Sequence, residues 1–142
     1  MSETRSKTFI GFWVIAIAAL IWNLMGAANF LFQMNPENIA LMPDTHRALI
    51  EDRAVWTTAG FAAGVFGGVI GAILMMLRRI WAVPAFALSL IGVLVAILPT
   101  IGLIRDASLT TADVALMIVM PVFVALILWL YARKIAARGW LR

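Results

Sequence analysis

The chain has 142 residues, of which 64 % are hydrophobic and 13 % charged, and its mean hydropathy is +1.02. A soluble domain of this size has too little interior to hide so much apolar surface, so lipid is the solvent for most of the chain. The formal charge of +4 reads as a membrane-topology signal and not as nucleic-acid binding, and the absence of cysteine excludes disulfide and thiol chemistry.

The first apolar run, Phe9 to Phe32, is uncharged over 24 residues, long enough to cross about 30 Å of hydrocarbon. It continues past the small residues Gly26-Ala27-Ala28, which favours a retained span over a cleaved signal peptide. Within it, LIWNLMGAANFLF carries the amide of Asn23 on a helical face built from Ala16, Ala19, Gly26, Ala27 and Phe30. Two readings follow. Asn23 is a packing joint that hydrogen-bonds a neighbouring helix, or it orients a ligand in a candidate cavity lined by Trp22, Asn23 and Trp56. We weight packing more heavily, because small residues and single amides commonly build helix contacts in membranes.

Residues 33–54 form the longest connection. Asn35 and Pro36 have the pattern of an N-cap and first helical position, with Glu37 near the positive end of the dipole. Pro43-Asp44 repeats the signal, with Asp44 as the expected cap of a second short helix. This loop is therefore expected to be a short helical periplasmic cap lying at the interface.

The second span, Val55 to Leu77, contains TAGFAAGVFGGVIGA. Gly60, Gly64, Gly67, Gly68 and Gly71 share one face, with Trp56 beside it, and form overlapping small-xxx-small pairs expected to pack tightly on another helix. Val65 and Val69 are expected to point elsewhere. Arg78-Arg79 is a tight turn into the third span, 80–104, where Pro84 lies near the start and Pro99 inside. Thr110 or Thr111 is expected to cap the fourth span, 114–132, with Asp113 in its first turn. Pro99 and Pro121 each withhold an N–H from the carbonyl four residues earlier, at Val95 and Met117, and mark candidate kinks. The segment Arg138 to Arg142 is expected to rest on lipid headgroups.

The fold class is thus all-α: a single domain over 1–142, an integral membrane bundle of four transmembrane helices at about 9–32, 55–77, 80–104 and 114–132. Continuous apolar runs without two-residue alternation exclude a barrel. Arg5, Lys7, Arg78, Arg79, Arg133, Lys134, Arg138 and Arg142 lie on one side, eight of the eleven basic residues. That bias places both termini in the cytoplasm. No acid, base or histidine falls inside a span, so neither a proton relay nor a charged pathway has a carrier. His46 stands alone in the loop, and the methionines read as apolar fill. Hence no metal, no cofactor and no enzymatic activity are expected.

LIWNLMGAANF, the loop with MPDTHRALIEDRAVWTTAGFAAGVFGGVIG, and WAVPAFALSLIGVL together resemble a family of small four-span bacterial inner-membrane proteins often labelled sugar transporters. The resemblance covers nearly the whole chain and implies an inner-membrane location and a small neutral solute such as a sugar. It carries no catalytic residues. Two functions stay open: a transporter or binder of a small neutral solute, assembled as a homo-oligomer, or a non-enzymatic accessory subunit or lipid-binding module of a larger membrane complex. Membrane lipids are partners in either case.

Overall fold

The structure, a computed structural model, describes residues 2–103 and 110–142. It is all-helical: α1 (Ser2–Gln33), α2 (Pro36–Ala40), α3 (Asp44–Glu51), α4 (Val55–Met76), α5 (Ala82–Leu103), α6 (Thr111–Val114) and α7 (Met120–Ala137). A five-residue π-helical segment, Ala115–Val119, joins α6 to α7. Among the described residues, four helices are long and apolar enough to cross a membrane: α1, α4, α5 and the continuous α6–π–α7 unit. α1 starts ahead of the apolar run, since neither proline nor glycine interrupts residues 2–8.

The glycine face answers which helix it meets. A Cβ on Gly92 of α5 would fall 2.5 Å from the Gly64 nitrogen and 2.6 Å from the Gly60 carbonyl oxygen, and one on Gly67 would lie 3.3 Å from the Ser89 nitrogen. The backbones of α4 and α5 touch there, and only hydrogen at these α-carbons permits it. Across the same seam the Ser89 hydroxyl donates to the Gly64 carbonyl at 2.6 Å. Gly68 is the exception: it faces Asn23 of α1. Val65 corrects the expectation that it points away. It is buried with Ala27 and Phe30, filling the α1–α4 contact, because its position lies between the two sides of α4 that meet helices.

The end bearing Arg78 and Arg79 is closed. Phe12, Ala16 and Ala19 pack there with Met75, Phe86, Leu128, Ala132 and Ile135. Arg78 takes φ 56°, the left-handed value more often given to glycine at a helix C-terminus, and its guanidinium lies 5.5 Å from the Phe9 ring centre. The C-terminal segment turns back into the bundle and does not rest outside it. Leu141 is buried, Trp140 packs against Phe12 with its ring tilted 54°, and Arg142 pairs with the turn through Ile80 N–H to Arg142 O at 2.9 Å and Arg142 N–H to Arg78 O at 2.8 Å. Gly139 at φ 73° makes that reversal possible.

At the other end Asn35 caps α2, its side chain accepting from the Glu37 N–H at 3.0 Å. Asp44 is not a cap. Pro43 holds the cap position without a side-chain bond, and Asp44 is the first residue of α3, 3.4 Å from Arg47. Thr110 is the cap of the fourth span, in a reciprocal capping box with Asp113. His46 reaches the same carboxylate, Nε2 to Oδ1 at 3.6 Å, tying α3 to the head of that span. The expected connection over 106–113 lies outside the described residues as far as Leu109. Pro121 follows directly on the π segment, where the Met120 N–H bonds back to Ala115.

If backbone contact holds α4 to α5, Gly64→Leu and Gly92→Leu should each destabilise the fold by about 1–3 kcal/mol or more. Ile70→Leu, at a site 53 % exposed to the surroundings, should have little effect. Thermal unfolding in mild detergent checks this, and equal melting of all three variants would refute it.

Candidate ligand-binding cavity

Above the closed end the four spans part around a cavity of about 440 Å³ that opens toward the 33–54 loop. Ligand sites commonly enclose several hundred cubic ångströms. On α1 the wall begins at Trp22 and Asn23 and rises through Gly26 and Asn29 to Gln33. α4 contributes Thr57, Phe61 and Gly64, and α5 contributes Ser89, Val93 and Ile97. The fourth span lines the remaining side with Leu116, Met117, Pro121, Val124, Ala125 and Leu128. Leu49 and Ile50 of α3, followed by Asp52 and Arg53, complete the mouth.

The cavity therefore has two unlike walls. The side built from α1, α4 and α5 carries Asn23, Thr57 and Ser89, and the side built from the fourth span is apolar throughout. Asn23, Thr57 and Ser89 are 7 %, 3 % and 3 % exposed. Two of them are satisfied internally. Asn23 Nδ2 donates to the Ala19 carbonyl one turn back at 2.8 Å, and Ser89 bonds Gly64. The Thr57 hydroxyl is buried with no hydrogen-bond partner among the described residues. A buried hydroxyl in that condition costs about 1–3 kcal/mol, and because its oxygen has almost no exposed surface a ligand group reaches it only by displacing a neighbouring atom.

Charge is confined to the mouth. Arg53 donates from Nη2 to Gln33 Oε1 at 2.5 Å and lies 5.5 Å from the Phe61 ring centre. Burial lowers its pKa from the ordinary arginine value, which leaves it cationic at any physiological pH. Asp52, beside it in sequence, is exposed. Among the described residues no cluster of three or more His, Asp or Glu side chains comes together.

Of the three residues expected to share a cavity, Trp22 and Asn23 line it and Trp56 does not. Trp56 is 53 % exposed. It precedes Thr57 by one residue, about 100° of helix rotation, so the turn that brings Thr57 inward carries Trp56 outward. The five glycines divide by partner: Gly60, Gly64, Gly67 and Gly71 meet α5, and Gly68 meets Asn23. Asn23 makes its hydrogen bond within α1 and not to a second helix. Its amide fills the notch left by the missing side chain of Gly68, so the joint is steric.

Thr57, Ser89 and Gly92 were not singled out by sequence. Ser89 is the one hydroxyl between Ile80 and Pro99, and Gly92 the one glycine. Either singularity in an apolar run marks an inward position. No family model, no curated protein and no solved structure matches this chain.

The notch predicts a specific coupling. Gly68→Ala should cost about 1–3 kcal/mol, because the new methyl group collides with the Asn23 amide. Asn23→Ala should recover much of that loss, giving a coupling of about 0.5–3 kcal/mol in a double-mutant cycle. Additive losses in thermal or denaturant unfolding would show that the two residues do not share the space.

Proposed function

We propose that this chain is a non-enzymatic protein of a bacterial inner membrane, with both termini in the cytoplasm, that binds a small amphipathic molecule in the cavity among its spans. The observation carrying this reading is the placement of three uncharged, deeply buried polar side chains, Asn23, Thr57 and Ser89, along one wall of a cavity whose other wall is apolar. A molecule with one hydrogen-bonding edge and one hydrocarbon face suits both walls. A free sugar, the solute implied by the resemblance, would find donors and acceptors on the first wall and set other hydroxyls against Leu116, Met117 and Leu128. Removing hydroxyls from water without new hydrogen bonds is unfavourable.

Binding has more support than passage. The layer of Phe12, Met75 and Phe86 fills the bundle below the cavity, so a transport cycle requires that layer to open. His46 pairs with Asp113 and is not on the cavity wall, so neither wall hydroxyl has an imidazole base beside it. The apolar wall favours a second reading, a lipid-binding module or accessory subunit, in which an acyl chain lies along α7. One chain supplies all the residues that line the cavity, and the proposal does not call on a second copy.

Thr57→Val separates a ligand contact from a packing residue. The variant keeps the shape and removes a hydroxyl that has no internal partner, so it should melt no lower than the parent. Its binding of a neutral probe with hydroxyls and one acyl chain, monolaurin, should weaken about twofold to tenfold. The readout is equilibrium binding to protein in phosphatidylcholine nanodiscs, with melting recorded on the same samples. Unchanged binding would remove Thr57 from the site.

Orientation is tested with single cysteines in this cysteine-free chain. Positions His46 and Glu51 should react with an impermeant thiol reagent on intact cells, and Arg79 and Arg138 should react only after lysis. The opposite pattern would invert the bundle.

A further inference from the structure

Resting on the cavity reading above, we propose that the cavity mouth is an acid-binding site, formed by Arg53 and the first turn of α4, that holds the phosphate or carboxylate of a single-chain amphiphile. Arg53 is the one cation on the cavity wall among the described residues, and it is only partly exposed. No carboxylate among the described residues lies within ion-pair distance of it. One guanidinium donor is committed to Gln33 Oε1, and the plane of five donors leaves others for an oxyanion. Asp52 also reaches the mouth, but it is exposed and makes no ion pair among the described residues.

The next residues reinforce the charge. α4 is 22 residues long and starts at Val55 with Ala54 at its cap position, which offers no side-chain acceptor. The helix start thus receives no side-chain capping oxygen, its Thr57 and Thr58 N–H groups bonding back to the Ala54 carbonyl, and its positive end follows Arg53 in the chain. One turn further in, Thr57 adds a buried hydroxyl that has no partner among the described residues. Arg53 and Thr57, four residues apart, both line the wall, whereas Ala54, Val55 and Trp56 between them are exposed and do not. Together Arg53 and Thr57 suit a headgroup that joins an acid to a hydroxyl or ester oxygen. Opposite them Leu116, Pro121, Val124 and Leu128 give the attached chain an apolar surface.

A three-ligand comparison tests this, using parent protein and Arg53→Gln in phosphatidylcholine nanodiscs. Lauryl phosphate carries acid and chain, monolaurin carries chain and hydroxyls without charge, and glycerol phosphate carries acid without chain. The parent should bind lauryl phosphate more tightly than either other ligand. Arg53→Gln should weaken lauryl phosphate about tenfold or more and leave monolaurin unchanged. Arg53→Lys, which keeps the charge, should retain much of the lauryl phosphate affinity and guards against a folding artefact. Lauryl phosphate bound no better than monolaurin, or equal losses for both in Arg53→Gln, would overturn the acid site while leaving the cavity reading in place. Glycerol phosphate bound as tightly as lauryl phosphate would also overturn the proposal, by showing a site for free anions. Failure of the parent to bind monolaurin and lauryl phosphate alike would remove the cavity reading together with this one.

Discussion

The contact between the backbones of α4 and α5 is the constraint on which the other features depend. Gly92 lies directly against the α4 backbone at Gly60 and Gly64, and the side chains of Val95 and Val93 fill the space beside Gly60 and Gly64. In lipid, helices gain little from hydrophobic expulsion because the solvent is itself apolar, so close approach and dispersion must supply the attraction. Ser89, bonded across the seam to Gly64, adds a directional element. The α4–α5 pair forms a rigid slab, and α1 and α7 take their places from what the slab leaves exposed. α1 lays Asn23, Ala27 and Phe30 on the Gly68–Val65 side of α4. α7 packs on α5.

That arrangement explains why one end of the bundle is filled and the other is hollow. Toward Arg78, large side chains from α1, α4 and α5 (Phe12, Met75 and Phe86) meet Leu128, Ala132 and Ile135 of α7, and the C-terminal segment folds over the turn. Toward the loop, the slab presents glycine, threonine and serine where bulk would be needed to close the space. The fourth span offers a proline and a π turn in place of a straight helix. The same small residues that bring α4 and α5 together thus leave the volume that the polar groups line. Packing and cavity come from one sequence feature.

Most of the architecture was legible in the sequence. Hydropathy alone located four spans to within a few residues, because a 20-residue uncharged run has few alternatives in lipid. The caps at Asn35 and Thr110 were legible for a local reason, since a cap depends on neighbours three residues away. What was not legible depends on partners. A helical wheel shows that five glycines share a face without saying which helix meets it, and it could not separate Gly68 from the others. Trp56 and Thr57 differ by one position, and only the assembled bundle decides which turns inward. Val65 and the C-terminal segment were misread for the same reason: their burial is a property of what packs on them. Asn23 was expected to bond a neighbouring helix if it is a joint, but its hydrogen bond stays in its own helix and the missing side chain on Gly68 makes the fit.

The π turn at Ala115–Val119 has a consequence for lineage and register. Such a turn corresponds to one residue more than an uninterrupted α-helix needs over the same rise, which is how a single-codon insertion is absorbed without lengthening a span. Removing one residue there would restore regular winding, and the gene would lose very little helix. The wider turn already takes up most of the angle of the extra residue, so the part on its N-terminal side would keep nearly the same face relative to α7. Thr110 and Asp113 would keep their mutual capping box, which is internal to that turn, and Asp113 would stay on the side that faces His46. The fourth span can therefore lose one residue at this point at small cost both to its own helix and to the alignment between the loop and the cavity wall.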